Sequence, residues 1–216
     1  PNTCTLAMWQ ASAAPHGIDH VVLVQPSVYG TDNSVMLDAL RESGGAHRGV
    51  AVVAPDVTDR QLADMHGAGV RGVRFNLVSP MGNDRVDIAN IAARIRALGW
   101  HLQLFVRPTD LAWVCTQRAR WGVPVVLDHM AGLHSDAVIS VDEEASLRAL
   151  TEAGAWVKLS GFYRLSMSGS FLPADARIVQ LHALFGDHMV WGSDWPHTWY
   201  MDCLLYTSPS PRDATL

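Results

Sequence analysis

The chain has 216 residues, 49% of them hydrophobic and 17% charged, which is enough to bury one sizeable core and too apolar for a disordered chain. Its net charge of -5, with scattered Lys and Arg, gives no nucleic-acid footprint, and no run approaches the roughly 18 apolar residues of a membrane span. These figures point to a soluble, cytoplasmic protein acting on a small molecule, while leaving the oligomeric state open; Cys4, Cys115 and Cys203 share no metal-type spacing and form no disulfide framework.

In chain order, a short β-branched run, a polar turn and a longer helical pattern recur from Ile18 to Pro196. Strands are predicted over 21–25, 49–54, 72–77, 102–106, 124–128, 156–160 and 189–192, and helices over 34–42, 59–66, 86–98, 110–120, 142–152 and 174–184. In the longest helical stretch Ile88, Ile91, Ala92, Ile95 and Leu98 recur at three and four, which is helical spacing. Glycines at 67, 69, 99, 122, 154 and 186 offer left-handed helix stops. Strands alternating with helices, each strand read as apolar throughout, imply a parallel sheet covered by helices.

Nearly every predicted strand ends on a group able to do chemistry: Gln25 and Ser27, Asp56, Arg74 and Asn76, Arg107, Asp128 and His129, Ser160, then Asp194. A closed barrel gathers all carboxyl ends at one mouth, whereas an open doubly wound sheet calls for a glycine-rich phosphate turn after an early strand. The turn Gln25-Pro26-Ser27-Val28-Tyr29-Gly30 has no such fingerprint, so a barrel is expected. The last strand stops where Asp194 begins, because Pro196 cannot continue a central ladder. That places a carboxylate, a candidate general base or metal ligand, at the mouth. Ser27 and Tyr29 are placed to face the same mouth as donors, while Thr31, Asp32 or Asn33 could cap the next helix. Trp195 is positioned as an apolar wall beside Asp194, and the tryptophans at 100, 113, 121 and 156 are expected to pack helices on the barrel.

Five blocks in order, Val22-Leu23-Val24-Gln25-Pro26-Ser27, Gly72-Val73-Arg74-Phe75-Asn76, Leu127-Asp128-His129-Met130-Ala131-Gly132, Val157-Lys158-Leu159-Ser160-Gly161 and Trp191-Gly192-Ser193-Asp194-Trp195-Pro196-His197, resemble the amidohydrolase-related hydrolases. Within them the likeness is to the branch that includes 2-pyrone-4,6-dicarboxylate lactonase. The resemblance implies a distorted (β/α)8 TIM barrel, α/β in class and incomplete here with about seven of eight strands. It implies a hydrolase opening a lactone or ester bond of a small carboxylated substrate. Asp194 would activate water, His129 would bind the scissile carbonyl, and Arg74 and Arg164 would grip substrate carboxylates. Metal is dispensable in that branch. Relatives on the same barrel use a divalent ion such as zinc, for which His129 and Asp194 would be ligands here, and a metal-dependent amidohydrolase or decarboxylase, or a non-catalytic binding barrel, are the alternatives. The family begins on a strand ending in His-X-His, which this chain lacks, and Pro80 stands where the lactonase has a second arginine. Residues from Cys203 onward resemble translated adapter sequence. The expectation is one truncated barrel domain over 1–202 with a non-native tail over 203–216, inactive as these residues alone.

Overall fold

The computed structural model describes residues 4–79, 84–134, 136–161, 163 and 173–197. Helix α1 (Leu6–Ala13) precedes an alternation of β1 (Val22–Val24), α2 (Ser34–Glu42), β2 (Arg48–Ala51), α3 (Asp59–Ala68), β3 (Val70–Asn76), α4 (Ile88–Ile95), β4 (His101–Phe105), α5 (Leu111–Trp121), β5 (Val125–Leu127), α6 (Val141–Glu152), β6 (Trp156–Leu159), α7 (Pro173–Phe185) and β7 (Met189–Trp191). The seven strands pair in sequence order and every pairing is parallel. A doubly wound sheet would reverse its order at a switch point, so the winding is that of a (β/α)8 barrel with seven strands among the described residues. The barrel expectation holds. Within that set β1 and β7 are the outer strands, and Val22, Val190 and Trp191 are exposed on them.

Local sequence explains the helix ends. Thr58 and Gln61 close a capping box on α3, as Ser140 and Glu143 do on α6. Gly69 stops α3 at φ 113, so Gly67, one of the anticipated stops, lies inside the helix instead. The helix expected over 86–98 is three pieces: 3-10 turns at Arg85–Asp87 and Arg96–Leu98 flank α4, whose Ile88, Ile91, Ala92 and Ile95 are fully buried. Helix α1 was not anticipated. It has no apolar stripe at helical spacing, and only Trp9 and Ala13 of it are buried. Asn33 does not cap α2: its amide bridges Val52, donating to the carbonyl at 2.8 Å and accepting from the N–H at 3.1 Å, which pins the turn after β1 to the end of β2.

The core lies between strands and helices. Val73 and Phe75 of β3, Leu102 and Leu104 of β4, and Val125 and Leu127 of β5 pack there with Ile91, Ile95, Val114 and Leu147. Alternate residues point the other way, as period two requires. Arg74 and Asn76, Gln103 and Phe105, Asp128, and Lys158 and Ser160 occupy the inner face, so the strands are amphipathic rather than apolar throughout. Trp100 and Trp121 are buried and Trp113 packs partly against the core, as expected, with Trp100 donating to His66 at 2.9 Å. No helix among the described residues is long and apolar enough to cross a membrane.

Candidate active site

The inner face is built around one carboxylate. Asp128 follows β5 and is buried, and both its oxygens are occupied. Oδ1 meets the Lys158 ammonium at 2.7 Å and accepts from the His129 N–H at 3.1 Å. Oδ2 accepts from Arg74 Nε at 2.9 Å and Gln103 Nε2 at 3.1 Å, with His129 Nε2 at 3.5 Å. Four strands or strand ends thus converge on one anion. Arg74 and Gln103 face each other because β3 and β4 pair them in register.

The next residue leaves the strand under strain. His129, Met130 and Ala131 take φ of 46, 52 and 58, and Gly132 follows at 72. Left-handed backbone at a residue with a Cβ costs on the order of 1–3 kcal/mol, and three in a row persist only where the surroundings hold them. Here all four are buried. Gly132 is required, since a Cβ there would lie 2.1 Å from the Val106 carbonyl oxygen. The turn points the His129 ring inward, edge-on to Phe105 at 4.8 Å between centroids, with Nδ1 3.2 Å from the Ser160 hydroxyl. Such strain is characteristic of functional sites.

Beyond β7 the chain turns again at Asp194, φ 56, a conformation aspartate tolerates better than most side chains. Its Oδ2 accepts a hydrogen bond from the Tyr163 hydroxyl, and Tyr163 is itself buried against the His197 ring. On the opposite wall Ser27 Oγ accepts from Arg74 Nη1 at 3.1 Å and Asn76 Nδ2 at 2.9 Å.

Of the residues expected at the mouth, Arg74, Ser27 and His129 are joined in this network, and Asp194 is close enough for its charge to act on the His129 ring. Tyr29 is 56% exposed on the 3-10 turn after β1 and makes no contact with the network. Arg164 lies outside the described residues, as do Pro80 and the tail over 203–216. Gln25 is a brace for its own loop, donating to the Asp32 carbonyl at 2.6 Å. Arg71 donates to the carbonyls of His66 and Val70. Sequence reasoning gave no role to Lys158, Gln103 or Tyr163. The alternation in His101-Leu102-Gln103-Leu104 and Val157-Lys158-Leu159-Ser160 is the signal that could have placed the first two on the inner face.

Among the described residues no group of three His, Cys, Asp or Glu side chains is disposed to hold a metal ion. The donors fit one poorly: the two ring nitrogens of His129 face Ser160 and Asp128, and Asp194 is engaged by Tyr163.

The electrostatics give the site a pH signature. Burial pushes the His129 imidazole below its ordinary 6.5, outweighing the upward pull of Asp128 and Asp194. Burial does the same to His101, against a smaller opposing bond with the Arg71 backbone. For Asp128 burial acts upward from 3.8, yet the neighbouring positive charge, Lys158 foremost, holds the carboxyl well below it. All three groups have depressed values in the folded state. The histidines' share of stability is therefore complete above 6.5 and lost as pH falls toward their folded values, and that of Asp128 is complete above 3.8 and lost below. The thermal midpoint should be level between about pH 7 and 8, decline below about 6.5 and fall more steeply below about 4. A midpoint that rises on acidification from neutrality to about pH 5 would contradict this assignment.

The amidohydrolase family profile matches residues 1–200. The chain is 35% identical over 199 residues to 2-pyrone-4,6-dicarboxylate hydrolase of Comamonas testosteroni, a match covering 84% of this chain and 64% of that protein. It is 34% identical over 193 residues to 4-sulfomuconolactone hydrolase of Rhizobium radiobacter, covering 86% and 64%. A structure designated 2-pyrone-4,6-dicarboxylic acid hydrolase from Pseudomonas putida shares the fold at a TM-score of 0.83, with 34% identity over 94% of this chain and 77% of that one. Another so designated, from Acinetobacter baumannii and holding citric acid, gives 0.80 and 29% identity over 97% and 79%. The chain spans about 64% of the length of the first two relatives.

Proposed function

Because the chain belongs to the amidohydrolase family, we propose that it serves a hydrolase that opens the lactone ring of a small substrate bearing carboxylate or comparable anionic groups. The observation that carries this reading is a carboxylate after β7 whose charge acts on the buried His129, at the same strand ends as the buried Arg74 and the half-buried Ser27 that it hydrogen-bonds. Two relatives above 30% identity are named as hydrolases of anionic lactones, which supports the substrate class. The network has the donors such a substrate needs. The cytoplasm is the proposed compartment.

Asp194 is the base in this reading. Its carboxylate removes a proton from water as the water oxygen attacks the lactone carbonyl, and returns that proton to the ring oxygen when the C–O bond breaks, giving the ring-opened acid. The Tyr163 hydroxyl orients the carboxylate. Arg74 presents a guanidinium to a substrate carboxylate, a pairing favoured by its planar fork, with Ser27 alongside. His129, neutral near pH 7 because of its burial, turns its Nε2–H to the carbonyl oxygen, since at 3.5 Å from Asp128 Oδ2 that nitrogen makes no full hydrogen bond there, and adds no second cation. Arg164 and Tyr29 complete the proposed grip on the substrate, and a divalent metal is not needed for any of these steps.

The test is turnover of 2-pyrone-4,6-dicarboxylate and 4-sulfomuconolactone, followed by chromatographic loss of lactone and appearance of the ring-opened acid. Arg74→Ala should raise KM for either by about tenfold or more with a smaller change in kcat, because it binds a charge present in both ground and transition states. Failure of the protein, expressed together with any coding sequence that extends these residues, to open these or any of a panel of anionic lactones would overturn the reading, and an unchanged KM would remove Arg74 from the site.

A further inference from the structure

We propose that Lys158 is a specificity-determining residue of this site: by sharing Asp128 with Arg74, it keeps the guanidinium from being neutralised and so selects anionic ligands over neutral ones. This deepens the reading above and rests on it for its kinetic readout only; the binding readout stands alone.

Asp128 is one anion between two cations, held by Lys158 on Oδ1 at 2.7 Å and by Arg74 on Oδ2 at 2.9 Å. Were Arg74 its sole ionic partner, the pair would cancel, and a substrate carboxylate would feel little from the guanidinium. Lys158 removes that cancellation. Asp194 adds a second carboxylate at the mouth, so among these four groups two positive charges balance two negative ones. Without Lys158 the balance turns negative, and an anionic substrate would meet repulsion instead of attraction.

Asp128 itself is spoken for. Its two oxygens already take the Lys158 ammonium, the His129 N–H, Arg74 and Gln103, which leaves it a fixed counter-ion and not a base.

The position of Lys158 is built rather than incidental. The side chain is only 14% exposed, on the inner face of β6. Its stem runs over Gly192, where an added Cβ would stand 3.3 Å from Lys158 Cε and 3.3 Å from the Ser160 Cβ, so the absence of a side chain at 192 keeps the slot open. Buried ion clusters are commonly no more stable than apolar residues of the same volume, so stability gives little reason to place a lysine here. A role in setting the charge of the mouth gives one.

The experiment compares four proteins: wild type, Lys158→Met, Lys158→Arg and the double variant Asp128→Asn with Lys158→Met. Citrate binding by calorimetry is the probe that needs no turnover. KM for 2-pyrone-4,6-dicarboxylate and for its uncharged dimethyl ester is the kinetic one. Lys158→Met should weaken citrate binding and raise KM for the dicarboxylate by about tenfold or more, the scale of one charge lost several ångströms away at an effective dielectric near 20. It should leave the ester's KM within about twofold, and Lys158→Arg should stay close to wild type. The double variant restores the charge balance by deleting one charge of each sign, and should regain most of the lost affinity. A packing role for Lys158 would not be rescued by a second substitution beside it. If Lys158→Met does not melt cooperatively, Lys158→Gln replaces it in both forms.

The proposal is overturned if Lys158→Met weakens citrate binding less than about twofold, if it harms the ester as much as the dianion, or if the double variant binds no better than the single. It is overturned as well if wild type binds neither citrate nor the dicarboxylate. Wild type that binds citrate with the expected pattern across the variants, yet opens no lactone, would sink the hydrolase reading and leave this one standing.

Discussion

Replacing Asp194 with asparagine is expected to lower kcat for lactone opening by about two orders of magnitude or more, the usual scale for loss of a general base. Asparagine keeps the shape and tolerates the left-handed backbone at φ 56, so the turn after β7 should survive. It can still accept from the Tyr163 hydroxyl. What it cannot do is take a proton from water. The thermal midpoint should therefore stay near the wild-type value while kcat falls and KM moves little. Tyr163→Phe should give a smaller loss of kcat, because it removes the group that orients the base and not the base. Steady-state kinetics and a melting curve on the two variants decide the matter. Asp194→Asn activity within a factor of a few of wild type would end its assignment as the base.

Asp128→Ala is expected to produce the largest loss of stability, about 3–5 kcal/mol, the scale for breaking a buried ion pair from one side. It strands two cations, Arg74 and Lys158, and leaves Gln103 and the His129 N–H without their common acceptor. For a chain of this length a loss of that size lowers the thermal midpoint by on the order of 10 °C. Asp128→Asn should cost less, since it keeps an acceptor. Combining Asp128→Asn with Lys158→Met should recover part of even that loss, because one stranded cation is removed. A midpoint for Asp128→Ala within about 2 °C of wild type would mean that the cluster is hydrated and not the buried anchor described here.

Much of the architecture was legible because the physics behind it is local. Runs such as Val73 to Phe75 and Leu102 to Leu104, separated by helical periods and glycine stops, specify alternating strands and helices whatever their neighbours do. Two features at the edges of that logic escaped. Helix α1 carries no apolar stripe, so its existence depends on Trp9 and Ala13 finding partners in space. The segment over 86–98 has one helical period in sequence but closes its two ends as 3-10 turns, which that period does not distinguish from α-helix.

The candidate site divides along the same line. Sequence by itself determined which residues stand at strand ends, and hence that Ser27, Arg74, His129 and Asp194 would gather at one edge of a parallel sheet. It also carried the family resemblance that the amidohydrolase profile bears out. Only the tertiary structure decided what those residues face. Reading the strands as apolar throughout hid the inner face, where Lys158 and Gln103 sit, although alternation was there to be seen. Asp128 and Lys158 are 30 positions apart and Asp128 and Arg74 are 54, read from their numbers, and no spacing rule reaches that far. Their convergence is set by strand register and by the left-handed turn after β5, which aims His129 inward. Which carboxylate is tied up as a counter-ion, and which stands beside a tyrosine where we propose it as the base, is a matter of neighbours a few ångströms away, and those neighbours come from different parts of the chain.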